Sequence, residues 1–313
     1  MKTETFILRA EDNVELFIYS WAPDVAGEAK GVIQIAHGMA EHGARYQDFA
    51  RYMVAAGYAV FVNDHRGHGK TAVTVENTGF FAGENKWQRV LSDMHLLNYH
   101  IRQTYNGLPV VMLGHSMGSF YTRAYLNKYP ETISGIILSG TAWHPAVLLN
   151  FGLLVAKMQS FFAGEKKRSK LLDGLSFGAF NKKFKPNKTP FDWLSRDEVI
   201  CKKYTGDVFC GWVGTSSFFR ELFRLLKYIH QPGLYQNVNK KLPVLVFSGE
   251  EDPVGNFSKS PKKMYAFLNN RGFSNTTLTL YPKGRHEMLN ELNRTEVYNN
   301  ISDWLGINCN LLH

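Results

Sequence analysis

The stretch "PVVMLGHSMGSF", Pro109 to Phe120, decides how the rest of the chain is read. Its first half is a short, nearly all-apolar run of the kind that forms a central parallel strand covered on both faces. Its second half carries Gly114-His115-Ser116-Met117-Gly118, a G-x-S-x-G spacing, and leads into the helical pattern "FYTRAYLNKYP". A serine at the tip of a sharp strand-to-helix turn crowds the neighbouring backbone, and flanking glycines leave free the space that a Cβ would fill. Ser116 is therefore expected to project its hydroxyl above the carboxyl edge of a sheet. A pentapeptide this short also arises by chance, so the reading depends on what the rest of the chain supplies.

Runs of the same kind recur as "GVIQIAHG", "YAVFVND", "ISGIILSG", "LPVLVFSGE" and "TTLTLYP". Amphipathic segments lie between them, near Arg45 to Ala56, Trp87 to Tyr105, Ser119 to Tyr129, Pro261 to Asn270 and Arg294 to Leu305. Alternation of strand and helix implies an α/β fold with a mostly parallel central sheet and helices on both faces. The alternation stops after "LSGTAW" and resumes at "KKLPVLVF". Residues 142–240 are therefore read as a helical cap inserted between a first core segment, 1–141, and a second, 241–313. Inside the cap, "HPAVLLNFGLLVAKMQSFF" is apolar almost all round from Ala146 to Ala156, broken only by Asn150 and Gly152. That falls short of the ~20 apolar residues of a membrane-spanning helix. The segment is expected to pack as a cap helix, to roof a cavity, or to dip into a lipid interface.

A serine hydroxyl is a poor nucleophile at neutral pH and needs a histidine base and an acid that orients it. In "VLVFSGEEDPVG" a strand ends in a turn with Glu250, Glu251 and Asp252. Asp252, short and placed just before Pro253, is the expected acid, with Glu250 as the alternative. In "LTLYPKGRHEMLNE" His286 follows the next strand and a glycine-containing turn, which sets it apart from the other ten histidines. Serine, acid and base then fall after three successive strands, 136 and 34 residues apart. That joint order is far more specific than any one member.

Acyl transfer also needs donors aimed at the oxyanion. The strand "IQIAHG" ends at His37-Gly38, which makes the Met39 backbone N–H the natural first donor and the Met117 N–H, directly after the serine, the second. His37, Gly38 and His115 beside these donors are expected to contact substrate. His42, His65 and His68 lie in "HGMAEH" and "DHRGHG", but neither segment has H-E-x-x-H or another zinc spacing, so no metal is expected. No G-x-G-x-x-G follows a strand and no G-x-x-x-x-G-K-[ST] occurs, so no nucleotide or other cofactor is expected.

The 313 residues are 44% hydrophobic and 20% charged, a balance typical of soluble globular chains. The net charge is +9, and the segment Thr141 to Tyr235, with 15 Lys/Arg against 7 Asp/Glu, supplies +8 of it. A basic face confined to one segment suits anionic lipid headgroups or fatty acids at least as well as phosphates of RNA, and nucleic acid is not expected as a partner. It also fits a plain solvated surface. The opening "MKTETFILRAEDNVELFIYSWAP" alternates as strands do and lacks the apolar core of a secretory signal. Cys201, Cys210 and Cys309 are odd in number and show no C-x-x-C, which argues against a disulfide framework. A cytoplasmic setting is expected.

Taken together, "HGMAEHGARY", "DHRGHGKT", "GHSMGS", "SGEEDPVG" and "GRHEMLNE" resemble the α/β-hydrolase superfamily, and within it the monoacylglycerol lipase and bacterial lysophospholipase-like group, often filed with serine aminopeptidases. "TPFDWLSRDEVICKKYTGDVFCG" and "SSFFRELFRLL" also look like bacterial members of that group. The resemblance implies Ser116, Asp252 and His286 as the triad, Met39 and Met117 as oxyanion donors, and a mobile cap over an acyl tunnel. Methionine after the serine, where proline iminopeptidases typically carry tryptophan, points away from peptidase activity. The basic run "GEKKRSK" has no counterpart in the family pattern. The leading expectation is a carboxylic-ester hydrolase for monoacylglycerols or lysophospholipids. The alternatives are an esterase for small soluble or aromatic acyl esters and a catalytically slow ligand-binding protein on the same fold.

Overall fold

The structure is a computed structural model and describes residues 1–25, 27–81, 86–231 and 233–309, the Cys309 side chain excepted. Residues 310–313 of the expected second core segment, and that cysteine side chain, lie outside the described residues.

The alternating N-terminal segment forms β1 (Lys2–Arg9) and β2 (Glu15–Ala22), an antiparallel pair. The six apolar runs form β3 (Gly31–Ala36), β4 (Tyr58–Asn63), β5 (Val110–His115), β6 (Gly135–Ser139), β7 (Val244–Gly249) and β8 (Thr276–Tyr281). They join one eight-stranded sheet in the order β1-β2-β4-β3-β5-β6-β7-β8. β2 runs antiparallel to β4, and every pairing from β4 to β8 is parallel. β3 to β7 are buried along their whole length, whereas β8, at the sheet edge, is only half buried. This explains the polar threonines in "TTLTLY".

The helices are α1 (Gln47–Ala55), α2 (Lys86–Thr104), α3 (Met117–Lys128), α4 (Ala146–Ala163), α5 (Lys170–Phe177), α6 (Glu198–Gly206), α7 (Ser216–Tyr228), α8 (Lys259–Asn270) and α9 (Arg294–Cys309). Successive side chains of a strand point to opposite faces, so each apolar run feeds two cores. Val111 and Leu113 of β5 pack in the layer that holds Phe49 and Met53 of α1 and Tyr298 and Ile301 of α9. Met112 between them joins Met94, Tyr121, Phe218 and Met264, from α2, α3, α7 and α8, on the other face.

Between β6 and β7 the chain forms α4 to α7 and adds no strand to the sheet among the described residues. Leu149, Gly152, Ala156 and Ser160 recur every three or four residues and make the buried face of α4. That face meets α7, where Phe223 fills the space above Gly152. The apolar character of α4 extends past Ala156 to Ala163, because Phe161 and Phe162 follow the polar Lys157, Gln159 and Ser160. This corrects the shorter length read from sequence. With 18 residues and a mean hydropathy of 1.5, α4 is long and apolar enough to cross a membrane by length and composition, yet only 22% of it is buried. Val147, Leu148, Phe151, Leu154, Met158, Phe161 and Phe162 are exposed.

Candidate active site

β5 ends at His115 and α3 starts at Met117, which leaves Ser116 alone to turn the chain. It does so at φ 52° and ψ −119°, a conformation that non-glycine residues rarely adopt and that surrounding contacts must enforce. Its N–H donates to the Ser139 carbonyl at 2.9 Å, and its own carbonyl accepts from the Ser119 N–H at 2.9 Å and the Ser119 hydroxyl at 2.6 Å. The Ser116 side chain does not cap the helix it precedes, so the hydroxyl is not occupied with folding. Both flanking glycines are required by space. A Cβ on Gly118 would overlap the Ala36 carbonyl, and one on Gly114 would overlap the Thr122 hydroxyl and the Gly118 carbonyl.

His286 sits after β8 and is 2% exposed. Its Nδ1 meets Oδ1 of Asp252 at 3.0 Å, and Asp252 is wholly buried after β7. The other carboxylate oxygen accepts from the Ser248 hydroxyl at 3.0 Å, and Oδ1 also accepts from the Val254 N–H at 2.9 Å. Glu250, the alternative acid, is exposed. Burial pulls the His286 imidazole down, but the Asp252 carboxylate and its hydrogen bond reverse this and hold it above the ordinary value. Burial likewise pushes Asp252 up, and the His286 charge and hydrogen bond bring it below the usual carboxylate range. Main-chain bonds fix the ring's loop, with the His286 N–H on the Trp193 carbonyl at 3.4 Å and the Glu287 N–H on the Leu194 carbonyl at 2.7 Å. The Trp193 ring lies 5.2 Å from the imidazole.

Ser116, His286, Gly38, Met39 and His115 line one cavity of about 380 Å³. Because Nδ1 is engaged by Asp252, Nε2 is the nitrogen left for the serine. No hydrogen bond joins the Ser116 hydroxyl to the imidazole among the described residues, and bonds of this kind commonly tighten only when substrate binds. The Met39 and Met117 N–H groups have no acceptor among the described residues, and Met117 opens α3, where the helix dipole favours negative charge. A second cavity of about 200 Å³ meets the first at Met39, Ser116 and Phe177. It is lined by Phe120, Leu148, Leu149, Phe151, Leu222 and other apolar side chains.

One of the expected substrate contacts is placed differently. His37 is fully buried and outside the residues lining either cavity. Its Nδ1 meets the Gly38 carbonyl at 2.8 Å and its Nε2 accepts the His65 N–H at 2.9 Å, so it braces the loop that carries Met39. Burial lowers its pKa to about 3 and keeps the ring neutral. His115 lines the cavity but is 5% exposed, with its ring 4.7 Å from that of His286. Burial lowers it to about 4, so it adds no positive charge beside the base.

Sequence reasoning missed a buried ionic link across the site. Glu41 accepts from the Gly38 N–H and from Arg45, each at 2.5 Å, and from the Tyr46 hydroxyl at 2.8 Å. Arg45 also makes a two-pronged bond to Glu287, at 2.7 and 2.6 Å, across 242 residues of sequence. The loop carrying Met39 is thus tied to the loop carrying His286. No sequence signal announces the link, because Arg45 and Glu287 lie 242 residues apart.

His65 and His68 pack against His37 and line neither of the two cavities. Among the described residues, one set of side chains could hold a metal ion: His42, Asp207 and Cys210, whose ligand atoms lie within 4.8 Å of one another. His42 and Asp207 are also an ordinary hydrogen-bonded pair at 2.8 Å.

A family model for serine aminopeptidase S33 matches residues 27–293, most of the chain. The monoacylglycerol lipase of Mycolicibacterium smegmatis is 29% identical over 290 residues, covering 91% of this chain and 90% of that one. Human monoglyceride lipase is 31% identical over 205 residues, covering 61% of this chain and 58% of that one. A thermostable carboxyl esterase from Bacillus coagulans, solved with glycerol, superposes with a TM-score of 0.89 over 99% of both chains at 24% identity, which speaks for the fold. The chain belongs to the serine aminopeptidase S33 family, within the monoacylglycerol lipase-like group of α/β-hydrolases, and is a serine hydrolase.

Proposed function

We propose that the chain hydrolyses esters of single-chain lipids, monoacylglycerols or lysophospholipids, through an acyl-enzyme on Ser116. Ser116 Oγ attacks the ester carbonyl carbon while its proton passes to His286 Nε2, and Asp252 holds the ring and stabilises its charged form. The carbonyl oxygen takes the negative charge and lies against the Met39 and Met117 N–H groups. His286 returns the proton to the departing alcohol oxygen as the C–O bond breaks. Water, deprotonated by the same ring, then attacks the acyl carbon and frees Oγ and a fatty acid.

The observation that carries the lipid reading is the pair of cavities meeting at Ser116, one of them almost wholly apolar. A carbonyl held at the serine can send an acyl chain into the apolar cavity and its alcohol into the other. The names of the relatives agree with this reading. Residues 142–240 act as its cap, since α4, α5 and α7 supply most of the apolar cavity wall. The exposed apolar face of α4, beside the exposed Lys157, Lys166, Lys167 and Lys170, is the part that meets an anionic membrane surface. Rates with p-nitrophenyl esters from C2 to C16 test the substrate class. The expected result is a kcat/KM that rises with length to C8 or beyond. A steep preference for C2 to C4 would overturn the lipid reading in favour of small soluble esters.

A further inference from the structure

The two cavities that meet at Ser116 differ in charge as well as polarity. No Asp, Glu, Lys or Arg lines the apolar one. The other is lined by three carboxyl residues, Glu41, Asp173 and Glu287, and by no Lys or Arg. Glu41 and Glu287 both pair with Arg45. Asp173, on α5, has no hydrogen-bond or ion-pair partner for its carboxylate among the described residues. Burial pushes its pKa above the usual carboxylate range. The placement runs against the local composition, because the segment that contributes Asp173 also carries +8 of the +9 net charge. Twelve of the fifteen basic residues of that segment are exposed, whereas this half-buried acid lines the cavity.

Resting on the proposed ester chemistry, we propose that Asp173 is a specificity-determining residue of the site for the departing alcohol: it accepts hydrogen bonds from an uncharged polyol and repels a phosphate. The preferred substrates are then monoacylglycerols rather than lysophospholipids with an anionic headgroup. The division also fits a basic exterior. Lysines attract the protein to an anionic lipid surface, while the acidic cavity keeps the headgroups of that surface away from Ser116.

The test compares kcat/KM for 1-oleoylglycerol and 1-oleoyl-lysophosphatidylglycerol, which differ by an anionic phosphoglycerol group, in neutral detergent micelles so that surface docking does not enter. The wild type should prefer the glycerol ester by at least 100-fold. Asp173→Asn should shrink that ratio about tenfold, the effect of one unit charge about 10 Å away at an effective dielectric of about 20. Asp173→Lys should shrink it further. A general disturbance of α5 lowers both rates and leaves the ratio in place. An unchanged ratio in Asp173→Asn, or equal wild-type rates on the two lipids, would overturn the assignment. Wild-type turnover of p-nitrophenyl butyrate separates the two levels: with it intact, a flat ratio overturns Asp173 alone, and without it the ester chemistry falls too.

Discussion

At the scale of single residues, the site depends on how two groups are kept in otherwise costly states. Ser116 is held at positive φ, and the Asp252–His286 pair is buried away from water. The first is possible because Gly114 and Gly118 have no Cβ where the backbone of β3 and α3 closes in. The second has a consequence for pH. In the proposed mechanism His286 must be neutral to take the serine proton, and its pKa is raised above the ordinary 6.5, so a larger fraction is protonated and inactive just above that pH. The acid limb of the kcat/KM profile should therefore have its midpoint above 6.5. Asp252→Asn removes the charge that raises the pKa while burial persists, so the limb should shift to lower pH and the plateau rate should fall on the order of 10⁴-fold. A limb that stays in place in this variant would contradict the assignment of Asp252. The placement of Ser116, Asp252 and His286 after β5, β7 and β8 was legible because strand order fixes their order along the chain. The role of His37 was not, since a histidine beside a glycine looks the same in sequence whether it faces a cavity or braces a loop.

At the scale of elements, what unites the site is the link from the Met39 loop through Arg45 at the start of α1 to the loop after β8. Arg45 is 12% exposed, with Glu41 and Glu287 at 3% and 4%, so the pairs are shielded from solvent. Removing the guanidinium leaves two buried carboxylates without a counter-charge, which typically costs about 3–5 kcal/mol. Arg45→Ala should lower the stability in urea unfolding by about that amount, and Arg45→Lys should recover only part of it, because an ammonium cannot make the two-pronged bond. An Arg45→Ala protein as stable as the wild type would contradict this account. This link was not legible in sequence: its partners lie 242 residues apart, and nothing in "GARYQD" marks a buried arginine. α4 makes a second prediction. Flotation with anionic vesicles at low salt should carry the wild-type protein upward, and Phe161→Ser with Phe162→Ser should cut the bound fraction several-fold. Wild-type protein that stays at the bottom with such vesicles would dismiss the membrane contact.

At the scale of the whole molecule, the parallel sheet brings the ends of β3, β5, β7 and β8 to one edge, where the chain departs into the Met39 loop, Ser116, Asp252 and His286. This much was legible because strands covered on both faces must be apolar runs, and six such runs stand out from amphipathic helices. The region between β6 and β7 was legible only as an interruption. α4 keeps apolar residues on both its packed and its exposed side, so its buried face does not stand out in the sequence. Residues such as Asp173, Trp193 and Trp212 therefore enter the cavity wall without a motif to announce them. The central claim is that one serine hydroxyl carries the acyl group. It is tested most directly by treating the folded protein with a fluorophosphonate and locating the adduct by peptide mass spectrometry. The account predicts one equivalent of label, on Ser116, with loss of esterase activity in step, and no label on folded Ser116→Ala; an unlabelled wild-type protein, or an adduct on any other residue, would contradict it.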